Sequence, residues 1–351
     1  MQNLFEKAEK ARSLSQFEPA RKIYRSLLRS PLSKEEKADV LLGLADVERI
    51  RGYFPEALSH YRKASQLFET IDPTAQLDAQ VGWALSARAS GQPWAALKEL
   101  KKALIQYQKL RDIQGEAFTR WALGGTWRIA GDMKKGLKEL LYALRLFKKI
   151  KNSEGVSYTC CALGGIYRML GQYDLSGHYY REANKRMRQR KDTFGIAYSY
   201  CGLGNVERMA GRFKRALPFY QKAEKLYGTI GDRVSYAYTL WSLGTTHKLL
   251  DQYLQAHQAF NAADMLFKIT GDTRGRIYVL LGHAEIDFIQ GKSAQGLKWW
   301  KEAKKLSDQS HYLWEKLHVA SLKNGDVHNL KRQYQKAGSR FYPASLPINW
   351  P

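Results

Sequence analysis

Cysteine, proline and acid are scarce in this 351-residue chain. Its three cysteines, Cys160, Cys161 and Cys201, are odd in number and match neither a zinc-ligand spacing nor a CxxC pair, so they support no disulfide scaffold and no structural metal. Three of the nine prolines fall in the last thirteen residues, SRFYPASLPINWP, which therefore cannot continue a helix. No stretch reaches the roughly 18 consecutive apolar residues of a membrane span. The opening MQNLFEKAEKARS is charged and lacks the apolar core of a signal peptide, so a cytoplasmic location is expected. A phosphate loop, a GxSxG elbow, an HExxH pair and a dinucleotide-binding fingerprint are all missing. The eight histidines follow no pattern. No catalytic residues, cofactor or metal ligands are expected.

What the chain has in quantity is base and apolar surface. Lys and Arg number 57 against 33 Asp and Glu, a net charge of +24. Residues 98–225 alone hold 27 basic and 11 acidic residues, two-thirds of the excess. The 44% hydrophobic and 12% aromatic content is enough for a folded core.

A forty-residue period organises the whole sequence. LADVERIRGYFPEALSHYRKA (44–64), LGGIYRMLGQYDLSGHYYREA (163–183) and LGNVERMAGRFKRALPFYQKA (203–223) each read as a helix, a turn and a second helix. The turn residues are Ser15, Gly52, Gly91, Gly131, Gly171, Gly211, Asp251, Gly291 and Gly325. Seven positions before the turn stands a small residue, Ala8, Ala45, Ala84, Gly124, Gly164, Gly204, Gly244 or Ala284, where helices can approach closely. The second helices carry apolar stripes such as Leu137, Leu140, Leu144 and Phe147, which a single hairpin cannot bury, so the units must stack. Asp72, Asp112, Asn152, Asp192, Asp232 and Asp272 precede the next first helix as N-caps.

This order of small residue, Gly turn, aromatic and Ala resembles the tetratricopeptide repeat, and the 40-residue period with its GD link resembles the longer variant of kinesin light chains and LGN/Pins-type scaffolds. The resemblance covers residues 1–338 and implies an all-α, right-handed superhelical solenoid of about nine antiparallel helix pairs. Its first helices would line a concave groove that binds a peptide or protein. Residues 1–34 and 309–338 are expected as caps, and 339–351 as a Pro-rich tail that packs on the last repeat or lies in the groove.

At 100° per residue, positions thirteen, ten, six and three before the turn share one face of the first helix. The third reads Arg12, Arg49, Arg88, Arg128, Arg168, Arg208 and Lys248, and the thirteenth reads Phe118, Tyr158, Tyr198, Tyr238 and Tyr278 through the middle of the chain. Between them lie Trp121, Cys161, Cys201 and Trp241. Leu44, Leu123, Leu163, Leu203 and Leu243, eight before the turn, belong to the core. The expected groove is therefore lined by Arg88, Arg128, Arg168, Arg208, Lys248, Phe118, Tyr158, Tyr198, Tyr238, Tyr278, Trp121, Trp241 and Asn205. Asn205 with Arg208 resembles groove residues of the LGN-type repeats.

Each Arg would meet about every third residue of an extended peptide, given helices about 10 Å apart and about 3.3 Å per residue. The Arg fork suits a carboxylate, so the expected function is a non-catalytic scaffold that binds an acidic, extended or helical segment of a partner protein. The alternative is single-stranded nucleic acid, held by phosphate neutralisation and base stacking. The same Arg residues could lower the thiol pKa of Cys161 and Cys201, although space-filling by small apolar residues is the simpler expectation.

Overall fold

The computed structural model describes residues 2–310, 312–324, 327–336 and 345–350. Among them eighteen α-helices follow one another in antiparallel pairs. In chain order they are α1 Gln2–Ser13, α2 Phe17–Leu27, α3 Lys34–Ile50, α4 Phe54–Phe68, α5 Pro73–Ala89, α6 Pro93–Lys109, α7 Ile113–Ala130, α8 Met133–Lys149 and α9 Ser153–Met169. They continue with α10 Tyr173–Gln189, α11 Thr193–Met209, α12 Phe213–Ile230, α13 Arg233–Lys248, α14 Tyr253–Thr270, α15 Thr273–Ile289, α16 Ser293–Asp308, α17 Leu313–Asn324 and α18 Val327–Lys336. Each odd helix and the next even one make a repeat, numbered one to nine. The turn at Gly325 and the expected boundary at 338–339 lie outside the described residues.

The punctuation of the repeats is local chemistry. First helices end on a left-handed residue, from Gly52 at φ 81° to Gly291 at φ 75°. Ser15 (φ 60°) and Asp251 (φ 57°) take the same conformation without glycine, so the period survives the substitution of its turn residue. At the other end Asp112, Asn152, Asp192 and Asp272 each accept a hydrogen bond from the third residue on, at 2.8–2.9 Å. Caps of this kind are worth about 1 kcal/mol each.

Packing within a repeat sets a large side chain, nine residues past the turn, against the small residue seven before it. A Cβ on Gly164 would lie 2.7 Å from the Tyr180 ring, and one on Gly204 2.6 Å from the Tyr220 ring. Leu44, Leu123, Leu163, Leu203 and Leu243 are all buried in the core.

The solenoid curls until its early turns touch its late helices. Arg233 Nη1 donates to Tyr53 Oη at 3.0 Å, and Phe17 meets Phe194 edge-on at 6.4 Å between ring centres. A Cβ on Gly91 would lie 2.8 Å from Tyr312 Oη, and one on Gly131 2.7 Å from Leu313. Among the described residues no helix is long and apolar enough to cross a membrane.

Candidate functional site

The first helices bring the third-before-turn column onto the concave face, but its members do not meet one environment. In repeats one and two each Arg is matched by acid. Arg12 donates to Glu9 at 2.6 Å and to Asp46 at 3.0 Å. Arg49 bonds Tyr61 Oη at 3.1 Å, and its Nη2 sits 3.6 Å from Asp46. Glu9 and Asp46 occupy the sixth position before the turn. In repeats three, four and five that position is Leu85, Gly125 and Gly165. Arg88, Arg128 and Arg168 have no carboxylate within ion-pair distance among the described residues.

These three guanidinium groups line a cavity of about 340 Å³, with Trp121, Tyr198, Tyr238 and Trp241 among its walls. Arg168 is only 9% exposed, and its Nε and Nη1 have no hydrogen-bond partner. Burial, then repulsion from Arg128 and Arg49, pushes the Arg88 guanidinium down to about 10. Burial, with Arg274 and Arg168 close by, also lowers Arg128. Gly125 makes room for this cluster, since a Cβ there would lie 2.6 Å from Arg88 Nη1. The result is a basic, aromatic-walled recess in which Arg88, Arg128 and Arg168 have no ion-paired carboxylate, while Asp272 and the Glu315-paired Arg274 also line its wall. Burial also raises Tyr198 and Tyr238, so both hydroxyls stay protonated, with Tyr238 beside Asp272.

Repeats six and seven carry the column differently. Arg208 and Lys248 are fully buried, and what covers them is the chain's own segment 345–350. Arg208 Nη1 donates to the Trp350 carbonyl at 2.7 Å and to Asn349 Oδ1, while Asn349 Nδ2 returns a bond to the Arg208 carbonyl at 2.9 Å. Lys248 Nζ reaches Glu285 at 2.7 Å and the Ile348 carbonyl at 2.9 Å. Glu285 also accepts from the Ile348 amide at 2.7 Å and from the Trp350 indole. Asn205 accepts from Arg208 and Tyr220 at 3.3 and 3.0 Å, bracing the guanidinium beneath the tail.

The expected continuous groove thus needs two corrections. Arg208 and Lys248 do not face an open groove, because the described part of the tail fills it and uses their donors. The aromatic column also divides. Tyr198, Tyr238 and Tyr278 border the arginine cavity, and Tyr278 is buried beside Arg274. Phe118 and Tyr158 instead line a neighbouring recess of about 630 Å³ with Asp78, Asp112 and Glu154, and Tyr158 Oη is committed to Asp192 at 2.9 Å. Trp121 borders both.

The thiols are not activated. Burial pushes Cys161 and Cys201 up, and for Cys201 it outweighs the lowering by Arg168 and Arg208. The sixth-before-turn position is expected on the groove face, where it supplies Asn205, but Glu285 is not among the expected residues. That column holds the signal when read together with the next repeat, since Asp46 answers Arg12 and Glu285 answers Lys248 from one repeat on.

Residues 158–229 and 195–263 match the tetratricopeptide-repeat family model. Together these matches span residues 158–263, less than a third of the chain. Among solved structures, a Rap protein complexed with competence and sporulation factor superposes with a TM-score of 0.69 at 14% identity, over 87% of this chain and 82% of that one. The Rap conjugation gene regulator of plasmid pLS20, in complex with the Phr* peptide, gives 0.65 at 17% identity, over 80% and 77%. NprR in complex with its cognate peptide NprX gives 0.60 at 14%, over 95% and 96%. At these identities the likeness is one of fold. No curated protein sequence matches the chain.

Proposed function

We propose that this tetratricopeptide-repeat protein is a non-catalytic scaffold whose concave face binds an acidic segment of a partner protein. The observation that carries this reading is the trio Arg88, Arg128 and Arg168, half-buried to buried around one cavity with no carboxylate at ion-pair distance among the described residues. Like charges in a shielded recess raise the energy of the free protein, and an incoming carboxylate relieves that cost while gaining paired hydrogen bonds. Trp121, Tyr198, Tyr238 and Trp241 supply apolar wall and hydroxyl donors for the rest of the segment. Two of the similar folds, the pLS20 regulator and NprR, were solved with peptides bound, which agrees with a peptide ligand for this fold.

The test is fluorescence polarisation with a labelled decapeptide rich in Glu, its Gln counterpart, and a labelled single-stranded RNA of ten nucleotides. The acidic peptide should bind and the Gln peptide should not, and replacing Arg88, Arg128 and Arg168 by Ala should abolish binding with the helical circular dichroism intact. Binding of RNA alone, with a steep salt dependence, would replace this reading by the nucleic-acid one. Unchanged peptide binding by the triple variant would sink it.

A further inference from the structure

The other half of the concave face is a site in its own right. Ile348, Asn349 and Trp350 are seated there by contacts that read a peptide rather than merely bury one. The Ile348 amide and carbonyl are taken by Glu285 and Lys248, and the Trp350 carbonyl by Arg208. Asn349 both accepts from the Arg208 side chain and donates to the Arg208 carbonyl. Aspartate in its place has no donor for the carbonyl, and leucine has neither group. The Trp350 indole donates to Glu285, lies tilted against the His318 ring with 4.3 Å between ring centres and is wholly covered. Phenylalanine would fill the space and leave that Glu285 oxygen without its donor, a buried loss that discriminates strongly.

All of these partners come from repeats six to nine, more than sixty residues before the segment in the case of Arg208, Lys248 and Glu285. Arg208 and Lys248 are the same column that in repeats three to five ends in an unfilled cavity.

We propose that repeats six to nine form a second peptide-binding subsite, specific for an aliphatic–Asn–Trp triad, which the chain's own C-terminal segment fills in cis and a separate segment of the same chemistry fills in trans. This subsite is independent of the acidic-segment reading, since it uses none of Arg88, Arg128 and Arg168. Binding in trans exchanges one set of contacts for an equivalent set, so the tail acts as a resident competitor.

The experiment uses the full chain and a labelled peptide of residues 345–351, SLPINWP. The substitution Trp350→Ala vacates the subsite. The variant should bind the peptide at least tenfold more tightly than the wild type does, and peptides carrying Asn→Leu or Trp→Phe should bind at least tenfold more weakly than SLPINWP. A folded variant that ignores SLPINWP overturns the proposal, as does equal binding of all three peptides. Should Trp350→Ala lose its cooperative thermal transition, added SLPINWP must restore it; failure to restore it is equally fatal.

Discussion

In repeats three to five the basic column faces a cavity, whereas in repeats six and seven it faces carboxylate and the chain's own backbone. The residue types are nearly the same: Arg88, Arg128 and Arg168 in one region, Arg208 and Lys248 in the other. What differs is the neighbour six before the turn and the presence of the tail. Leu85, Gly125 and Gly165 offer no charge, while Asn205 and Glu285 brace the bases and Ile348–Trp350 completes their hydrogen bonds. A column of like residues is therefore not a functional unit by itself. Its meaning is set rung by rung by whatever answers the charge.

The sharpest way to break this comparison is to remove the answering charge. Glu285→Ala leaves Lys248 fully buried without its ion partner and takes acceptors from Ile348 and Trp350. Losing one member of a buried pair costs about 3–5 kcal/mol, so urea melts should show a large loss of stability. Arg49→Ala, which removes a partly exposed pair with Asp46, should cost about 1 kcal/mol or less.

Acid should also act on the two regions unequally. Burial, with His257 beside it, lowers the His283 imidazole to about 4, and burial holds His318 well below its usual value. Both are therefore neutral in the folded chain at pH 5 to 6.5, where the unfolded chain takes up protons. Stability is full above about pH 6.5 and falls as the pH drops toward 4, by up to about 3 kcal/mol for His283 alone. His283→Gln should flatten thermal-melt midpoints over that range, and a slope unchanged by the substitution would refute the assignment.

Much of this molecule was legible in the sequence. The turn column, the caps from Asp72 to Asp272 and the small-residue column all depend on chemistry within a few residues, and each has the role its type implies. The division of the basic column was less legible because it depends on contacts between repeats. Arg12 reaches Asp46, 34 residues on, and Lys248 reaches Glu285, 37 on. Reading one column at a time hides such pairs, although setting the third position beside the sixth would have shown them. The docking of Asn349 on Arg208, 141 residues apart, has no local signal beyond the prolines that keep the tail from being helical.

Removing an unmatched base gives a moderate effect of the opposite sign. Arg88→Met keeps the aliphatic stem and deletes a charge that burial and Arg128 both disfavour. Stability should rise by about 1 kcal/mol in thermal melts, and affinity for the Glu-rich peptide should fall about tenfold. A variant that lost stability would mean that the trio is already matched in the free protein.

The finest test converts one kind of rung into the other. Gly165 occupies the position that is Asp46 in repeat two and Glu285 in repeat eight. A Cβ there meets nothing closer than Tyr180 Oη at 3.5 Å, an ordinary contact, so a side chain can enter without backbone movement. Gly165→Asp should place a carboxylate among Arg128 and Arg168, much as Asp46 stands between Arg12 and Arg49. Stability should change little, within about 1 kcal/mol, because a helix-interior glycine is replaced while a carboxylate is partly desolvated. Peptide affinity should nevertheless fall about as far as in Arg88→Met, with every arginine still present. If the acidic peptide bound Gly165→Asp as well as the wild type, the missing counterion would not be what makes repeats three to five different from their neighbours.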